Sequence, residues 1–257
     1  MGSWVWIGFL AFFVASLSVG VRLLVLWRRT RQLPELLIGI GVLGIGPVGF
    51  GSILLGTTLV GAGVVAPDTP LGQIPFALGS LTIVVGVFAV CIFNWRVYHP
   101  ERRAIALLVA IIGMLLAGLC IHQGLTRGYV PAERPEGLTL LQSSLQVGAL
   151  LWGSLEALRY WWQMRRREAL GLADPVVTNR FLLWGIGAGA AGLGTAVGVV
   201  ASVVTSVPPL QIPWVVASSS AHGMLAAVAM WLAFLAPSGY LRWVGAGHGR
   251  AAVGGAG

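Results

Sequence analysis

The chain has no lysine, only two cysteines and four histidines, and just 9% of its 257 residues are charged. A soluble domain carries about 25% charged residues, so this chain has roughly a third of the usual supply. So few charges cannot cover a water-soluble globule of this size. That excludes an ordinary soluble enzyme, and equally a disordered or nucleic-acid-binding protein. The sparse reactive residues exclude more. His99, His122, His222 and His248 fall at four different depths, so no facing pair suits haem. No Cys/His/Asp spacing resembles a metal site. Cys91 and Cys120 fall at different depths of different segments and read as small apolar residues rather than a disulfide. No Gly-rich phosphate loop follows a strand, and no Ser/His/Asp set is present. Neither enzyme activity, metal nor cofactor is expected.

What is present is apolar length: 57% of the residues are hydrophobic. Crossing a ~30 Å hydrocarbon core takes about 20 apolar residues. Seven stretches qualify, at 4–27, 35–63, 74–96, 103–125, 138–162, 181–206 and 212–236. The predicted fold is therefore an all-α polytopic membrane protein forming one transmembrane domain, with a disordered tail over 244–257. The first stretch reads as a retained helix, since a signal peptide needs an early positive charge and Arg22 is the first. Trp6 stands where a myristoylation motif requires Ser or Thr.

All sixteen basic residues are Arg, and they are distributed unevenly. With the N-terminus outside and the C-terminus inside, the inner links and inner span ends hold Arg22, Arg28, Arg29, Arg31, Arg96, Arg102, Arg103, Arg159, Arg165, Arg166, Arg167, Arg180, Arg242 and Arg250. Only Arg127 and Arg134 fall outside. Fourteen against two is a strong positive-inside bias. Trp4, Trp6, Trp27, Trp95, Trp161, Trp162, Trp214 and Trp243 cluster near span ends, as interfacial aromatics do.

The sequence also repeats itself. Gln73-Ile74-Pro75 opens the third span and Gln211-Ile212-Pro213 the seventh, each followed by a Ser seven residues after the Gln, Ser80 and Ser218. Leu36-Leu37-Ile38-Gly39-Ile40-Gly41 in the second span matches Leu182-Leu183-Trp184-Gly185-Ile186-Gly187 in the sixth. Arg22…Arg28-Arg29 and Arg159…Arg165-Arg166 have identical spacing. The offsets are 137, 146 and 138 residues. Two parallel three-helix units, about 4–96 and 138–236, joined by a linker helix at 103–125, account for this order. The glycines of the second and sixth spans, including the four-residue pairs Gly185/Gly189 and Gly194/Gly198, read as close helix contacts. Pro47 should kink the second span.

Polar residues at membrane depth are costly and mark candidate sites. Gln142, Gln146, Ala149, Gly153 and Glu156 follow steps of 4, 3, 4 and 3 along one face of the fifth span, extended by Tyr160 and Gln163. Their counterparts in the first span are apolar, so packing alone does not ask for them. Glu156 is the most interior acid, with Arg159 and Arg22 its expected partners; it is either a structural ion pair or a proton-carrying or gating acid. Ser218 and His222 share a face of the seventh span, next to Ser219 and Ser220, and Ser80 and Thr82 lie at matching depth on the third. Ser80, Thr82, Gln142, Gln146, Ser218, Ser219 and His222 form a candidate ligand pocket in the outer half, although His222 equally fits a core histidine tying helices together. Arg165, Arg166 and Arg167 form a face for anionic lipid or a cytoplasmic partner.

Seven helices with an outer N-terminus and related first and last triplets resemble the microbial rhodopsin arrangement. That family's defining residue is a seventh-helix Lys bonded to retinal; with no Lys here, covalent retinal is excluded, and only His222 or its Ser neighbours fall in that region. The 3+1+3 repeat resembles the PQ-loop and SWEET transporters, but Gln73-Ile74-Pro75 and Gln211-Ile212-Pro213 are not their Pro-Gln signature. The stretch from Leu170 to Trp184 is similar to an inner loop of uncharacterised bacterial seven-helix proteins, which implies a bacterial cytoplasmic (inner) membrane and no particular activity. Three functions fit: a receptor-like or sensory protein signalling through a cytoplasmic or membrane partner, a small-solute or proton-coupled transporter, or a structural subunit of a membrane complex. The bilayer is the one partner all three share, and no nucleic acid is expected.

Overall fold

The computed structural model describes residues 4–130, 137–205 and 211–253. The helices are α1 (Trp4–Thr30), α2 (Leu33–Ile45), α3 (Gly51–Gly61), α4 (Pro70–Tyr98), α5 (Arg103–Arg127), α6 (Gly137–Glu168), α7 (Pro175–Thr205), α8 (Pro213–Phe234) and α9 (Ser238–Val253). No strand occurs among the described residues. Several helices open on a proline, which lacks an N–H and so suits a first turn. At α4 the Thr69 hydroxyl also accepts from the Gly72 N–H at 3.1 Å, and at α7 the Asp174 carboxylate accepts from the Val176 N–H at 2.8 Å. Between α1 and α2 the chain reverses at Arg31, whose φ of +58° is left-handed.

α2 and α3 are one interrupted rod. Gly46–Phe50 form a π-helical turn between them. Pro47 sits in that turn, where its missing N–H breaks the regular ladder. The interruption is where the sequence predicts a kink.

Successive helices pack in a ring. α1 lies against α2 and α8, the α2–α3 rod against α4, α4 against α6, α6 against α7, and α7 against α8. α5 packs on α4 and α6 from outside the ring. The arginine-rich ends of the helices (residues 28–31, 96–103, 159–167 and 242) fall at one end of this bundle, called here the basic end. Six rods are long and apolar enough to cross a membrane: Ile7–Thr30, Leu33–Gly61, α4, α5, α7 and α8. α6 is not among them, because Gln142, Ser143, Ser144 and Gln146 dilute its apolar stretch. Leu10, Leu55, Val85, Leu107, Met114 and Leu155 are each more than half exposed. Such an apolar outer surface suits lipid rather than water. The protein is an integral membrane protein.

Glycines set the closest contacts. A Cβ on Gly39 would meet Leu24 Cδ2 at 2.9 Å and the Gly20 carbonyl at 3.4 Å; one on Gly185 would meet Leu158 Cγ at 2.7 Å and the Ser154 carbonyl at 3.3 Å. A Cβ on Gly41 would meet Val90 Cγ2 at 2.8 Å and the Gly86 carbonyl at 3.4 Å; one on Gly187 would meet Met230 Cγ at 3.2 Å and the Ala226 carbonyl at 3.7 Å. In each Gly-Ile-Gly, then, the first glycine packs on the preceding helix and the second on a following one. Each meets a side chain and the carbonyl four residues before it.

One core cluster takes residues from all six ring elements: Val19 and Leu23, Leu37, Ile38 and Val42, Ala89 and Phe93, Ala157, Trp184, and Met230. All lie toward the basic end of their helices. Aromatic contacts run through it, with ring centroids of Phe93–Trp184 and Trp184–Phe234 each 6.0 Å apart. A second cluster, with Val84, Val87, Cys91, Val109, Leu116, Cys120 and Ala149, joins α5 to α4 and α6. Both cysteines there are free.

The tail differs from expectation. Residues 244–253, expected to be disordered, continue α9. The helix is tied down at its start, where the Asn179 amide of α7 donates to the Tyr240 hydroxyl at 2.7 Å. Residues 254–257, Arg134, and Pro209-Leu210 ahead of the second Gln-Ile-Pro lie outside the described residues.

Candidate functional site

Polar groups gather in two places. The first is the half of the bundle away from the basic end. Ser219, Gly223, Ala226 and Met230 follow steps of 4, 3 and 4 along α8. Ala226 and Met230 are 0% and 7% exposed, in or beside the core, whereas Ser219 and Gly223 are only half-buried. α6 behaves the same way: Ala157 is 0% exposed, while Gln146, three turns earlier on the same stripe, is half-buried. Gln142 is buried. The His222 Nδ1–H donates to the Ser218 carbonyl at 2.8 Å, which leaves Nε2 as the ring's other nitrogen. A Cβ on Gly194 of α7 would lie 3.0 Å from His222 Cβ, so the imidazole stem packs on α7.

Apart from the contact between Ser218 and His222 within α8, the candidate pocket residues are not joined to one another among the described residues. α8 packs on α1 and α7, while α4 and α6 lie on the other side of the ring. The Thr82 hydroxyl is satisfied within its own helix, by the Leu78 carbonyl at 2.7 Å and the Gly79 carbonyl at 3.1 Å. Ser80, Ser218 and Ser219 are half-buried. Among the described residues no hydrogen bond links these groups across helices.

The second place is the basic end. There the Glu156 carboxylate accepts from His99 Nε2–H at 2.8 Å, with side chains 16% and 12% exposed. Glu156 was expected to pair with Arg159 and Arg22, and both of those arginines are instead exposed. α6 packs on α4, and Gly153 lies against Asn94; a turn further along, Glu156 reaches the end of α4, where His99 stands. Arg159 lines the same cleft as Glu156 without forming an ion pair with it, and Arg22 belongs to α1, which packs on α2 and α8.

Around this pair is a cleft of about 220 Å³ lined by Tyr98, His99, Arg102, Glu156, Arg159, Tyr160 and Gln163. Glu156, Tyr160 and Gln163 come from the polar stripe legible in the sequence. Tyr98, His99 and Arg102 were missed, although Pro100 marks the end of α4 and so places His99 at a helix terminus. Close by, both side-chain polar atoms of Asn94, the Tyr98 hydroxyl and the Trp184 indole nitrogen are buried without partners.

Other arginines of the basic end lie over indoles. Arg31 sits over Trp27, Arg96 over Trp95, Arg165 over Trp161 and Arg166 over Trp162, at 5.4, 4.3, 5.7 and 3.6 Å from the ring centroids. Such cation–π pairs belong to an interfacial belt.

Among the described residues no group of three or more His, Cys, Asp or Glu side chains is placed to hold a metal. Comparison with family models, curated proteins and solved structures finds no match to this chain.

Proposed function

We propose that the protein is a receptor-like, sensory seven-helix membrane protein of the bacterial cytoplasmic membrane. In this reading α6 is the seventh span, the basic end faces the cytoplasm, and a small polar pocket opens at the opposite, outer end. The observation that carries it is the change in packing along the inward stripes. Near the basic end they are sealed by a core drawn from all six ring elements. In the other half Gln146, Ser219 and Gly223 stay half-buried. A bundle closed on one side, with polar groups left half-buried on the other, suits ligand binding without passage. α6 packs between α4 and α7 and is 32 residues long, about 48 Å at 1.5 Å per residue, which supports its crossing with its neighbours. In this reading a signal passes to a partner, to which the exposed Arg165, Arg166 and Arg167 offer a face.

A thermal-shift screen of small polar solutes tests the pocket. A ligand whose shift is lost in Gln146→Leu and Ser219→Leu supports it. Co-purification of a signalling protein, lost when Arg165 to Arg167 are changed to Gln, supports the output.

A transporter is the second reading, favoured by the matched glycine contacts of the two Gly-Ile-Gly segments. They relate α1, α2 and α4 to α6, α7 and α8 with offsets of 134, 146 and 140 residues, within a turn of the offsets in the sequence. α1 against α8 and α4 against α6 are then equivalent contacts of two parallel units. Alternating access exploits such repeats. Solute flux in proteoliposomes, abolished by Glu156→Gln, favours this reading; no flux across a broad panel favours the receptor. A protein stable only inside an assembly, with no ligand, favours a structural subunit.

A further inference from the structure

The cleft at the basic end plays no part in the outer pocket. Its chemistry differs as well. Its one acid, Glu156, is engaged by His99, and among the described residues neither Arg102 nor Arg159 forms an ion pair. Both are exposed, and neither is among the arginines that lie over Trp rings. Two guanidiniums from different helices thus open on one small cavity, with the Tyr160 phenol and the Gln163 amide as neutral neighbours.

We propose that this cleft binds a phosphate group. Guanidinium forks match phosphate oxygens, and one phosphate has oxygens enough to accept from both arginines. The cavity of about 220 Å³ equals roughly seven water molecules at about 30 Å³ each, which accommodates such a group. Its surroundings favour an anion. Arg102 immediately precedes α5, whose first turn has no side-chain cap and no acid. Arg102 and Arg103 therefore stand at the positive end of that helix dipole, and an anion relieves the repulsion. Glu101 is exposed in the same turn but does not line the cleft. The phosphate arrives either on a lipid headgroup, since the cleft lies at the ends of the membrane-spanning helices, or on a soluble compound.

Binding to the full-length protein decides both points. Native mass spectrometry with phosphatidylglycerol, using diacylglycerol as the phosphate-free control, reads the lipid source; isothermal titration with inorganic phosphate reads the soluble one. Arg102→Gln/Arg159→Gln should weaken the bound species about tenfold per arginine. Arg102→Lys/Arg159→Lys should recover part of it. Arg165→Gln/Arg166→Gln, which thins the indole-stacked belt, should change it less than about threefold. Binding by phosphatidylglycerol, by phosphate or by both, lost in the Gln pair, supports the site. It is overturned if neither probe binds the wild type, or if the Gln pair, with an unchanged circular dichroism spectrum, binds as tightly as the wild type.

Discussion

Glu156 and His99 each depend on the other for a partner. A hydrogen bond to a charged group contributes about 1.5–3 kcal/mol. Glu156→Ala should therefore lower unfolding stability in detergent by about 1–3 kcal/mol, and Glu156→Gln by less, because the amide oxygen still accepts from His99. Equal loss in both variants would mean that the contact contributes by charge alone. Ser154 makes another cross-helix bond, donating to the Gly185 carbonyl at 2.7 Å. Hydrogen bonds between membrane helices contribute about 0.6 kcal/mol on average and up to about 1.7, so Ser154→Ala should cost about 1 kcal/mol in the same thermal assay. These residues were legible to different degrees. The 4-3-4-3 spacing along α6, with its extension, picks out Glu156, Tyr160 and Gln163. It says nothing of His99, because a contact between two helices depends on which helices are neighbours, and hydropathy carries no record of that.

Glycine placement decides how closely the elements approach. A Cβ on Gly44 would lie 2.6 Å from the Thr82 carbonyl, a backbone atom that cannot move aside without its helix. Gly44→Ala should push α2 from α4 and cost roughly 2 kcal/mol or more, in the range of overpacked cores. Gly148→Ala is the internal control: nothing lies within 4 Å of its Cβ position, and replacing a helical glycine gains up to about 1 kcal/mol. Opposite shifts in thermal midpoint in one detergent would establish close packing as the role of Gly44. Element boundaries were readable because apolar runs end where arginines and prolines begin. The π-helical turn was legible only as a kink at Pro47, since a proline announces a broken ladder without choosing how the backbone mends it. α9 was misjudged, because its Gly- and Ala-rich stretch carries no apolar face, and the contact that anchors its start is made by Asn179, sixty-one positions away in the chain.

At the scale of the whole molecule, ring order and the sealed core determine what the bundle can do. Charge bias carries an expectation of orientation, and repeated motifs an expectation of two related units. Neither reveals that the core closes near the basic end, which emerges only once six helices are set around one axis. If fourteen arginines orient the chain, a fluorescent protein fused after Gly257 should fluoresce in the cytoplasm, and a periplasmically active reporter fused there should be silent. The most direct test of the account uses the chain's own shortage of cysteine. Cys91 and Cys120 are 0% and 1% exposed, so they should label little, and Ser219→Cys provides a single reactive thiol on the inward stripe of α8. A membrane-impermeant maleimide should label it in intact cells, and should not label it from the cytoplasmic face of inside-out vesicles. Labelling from the cytoplasmic face, or from both faces, would contradict a pocket closed toward the basic end.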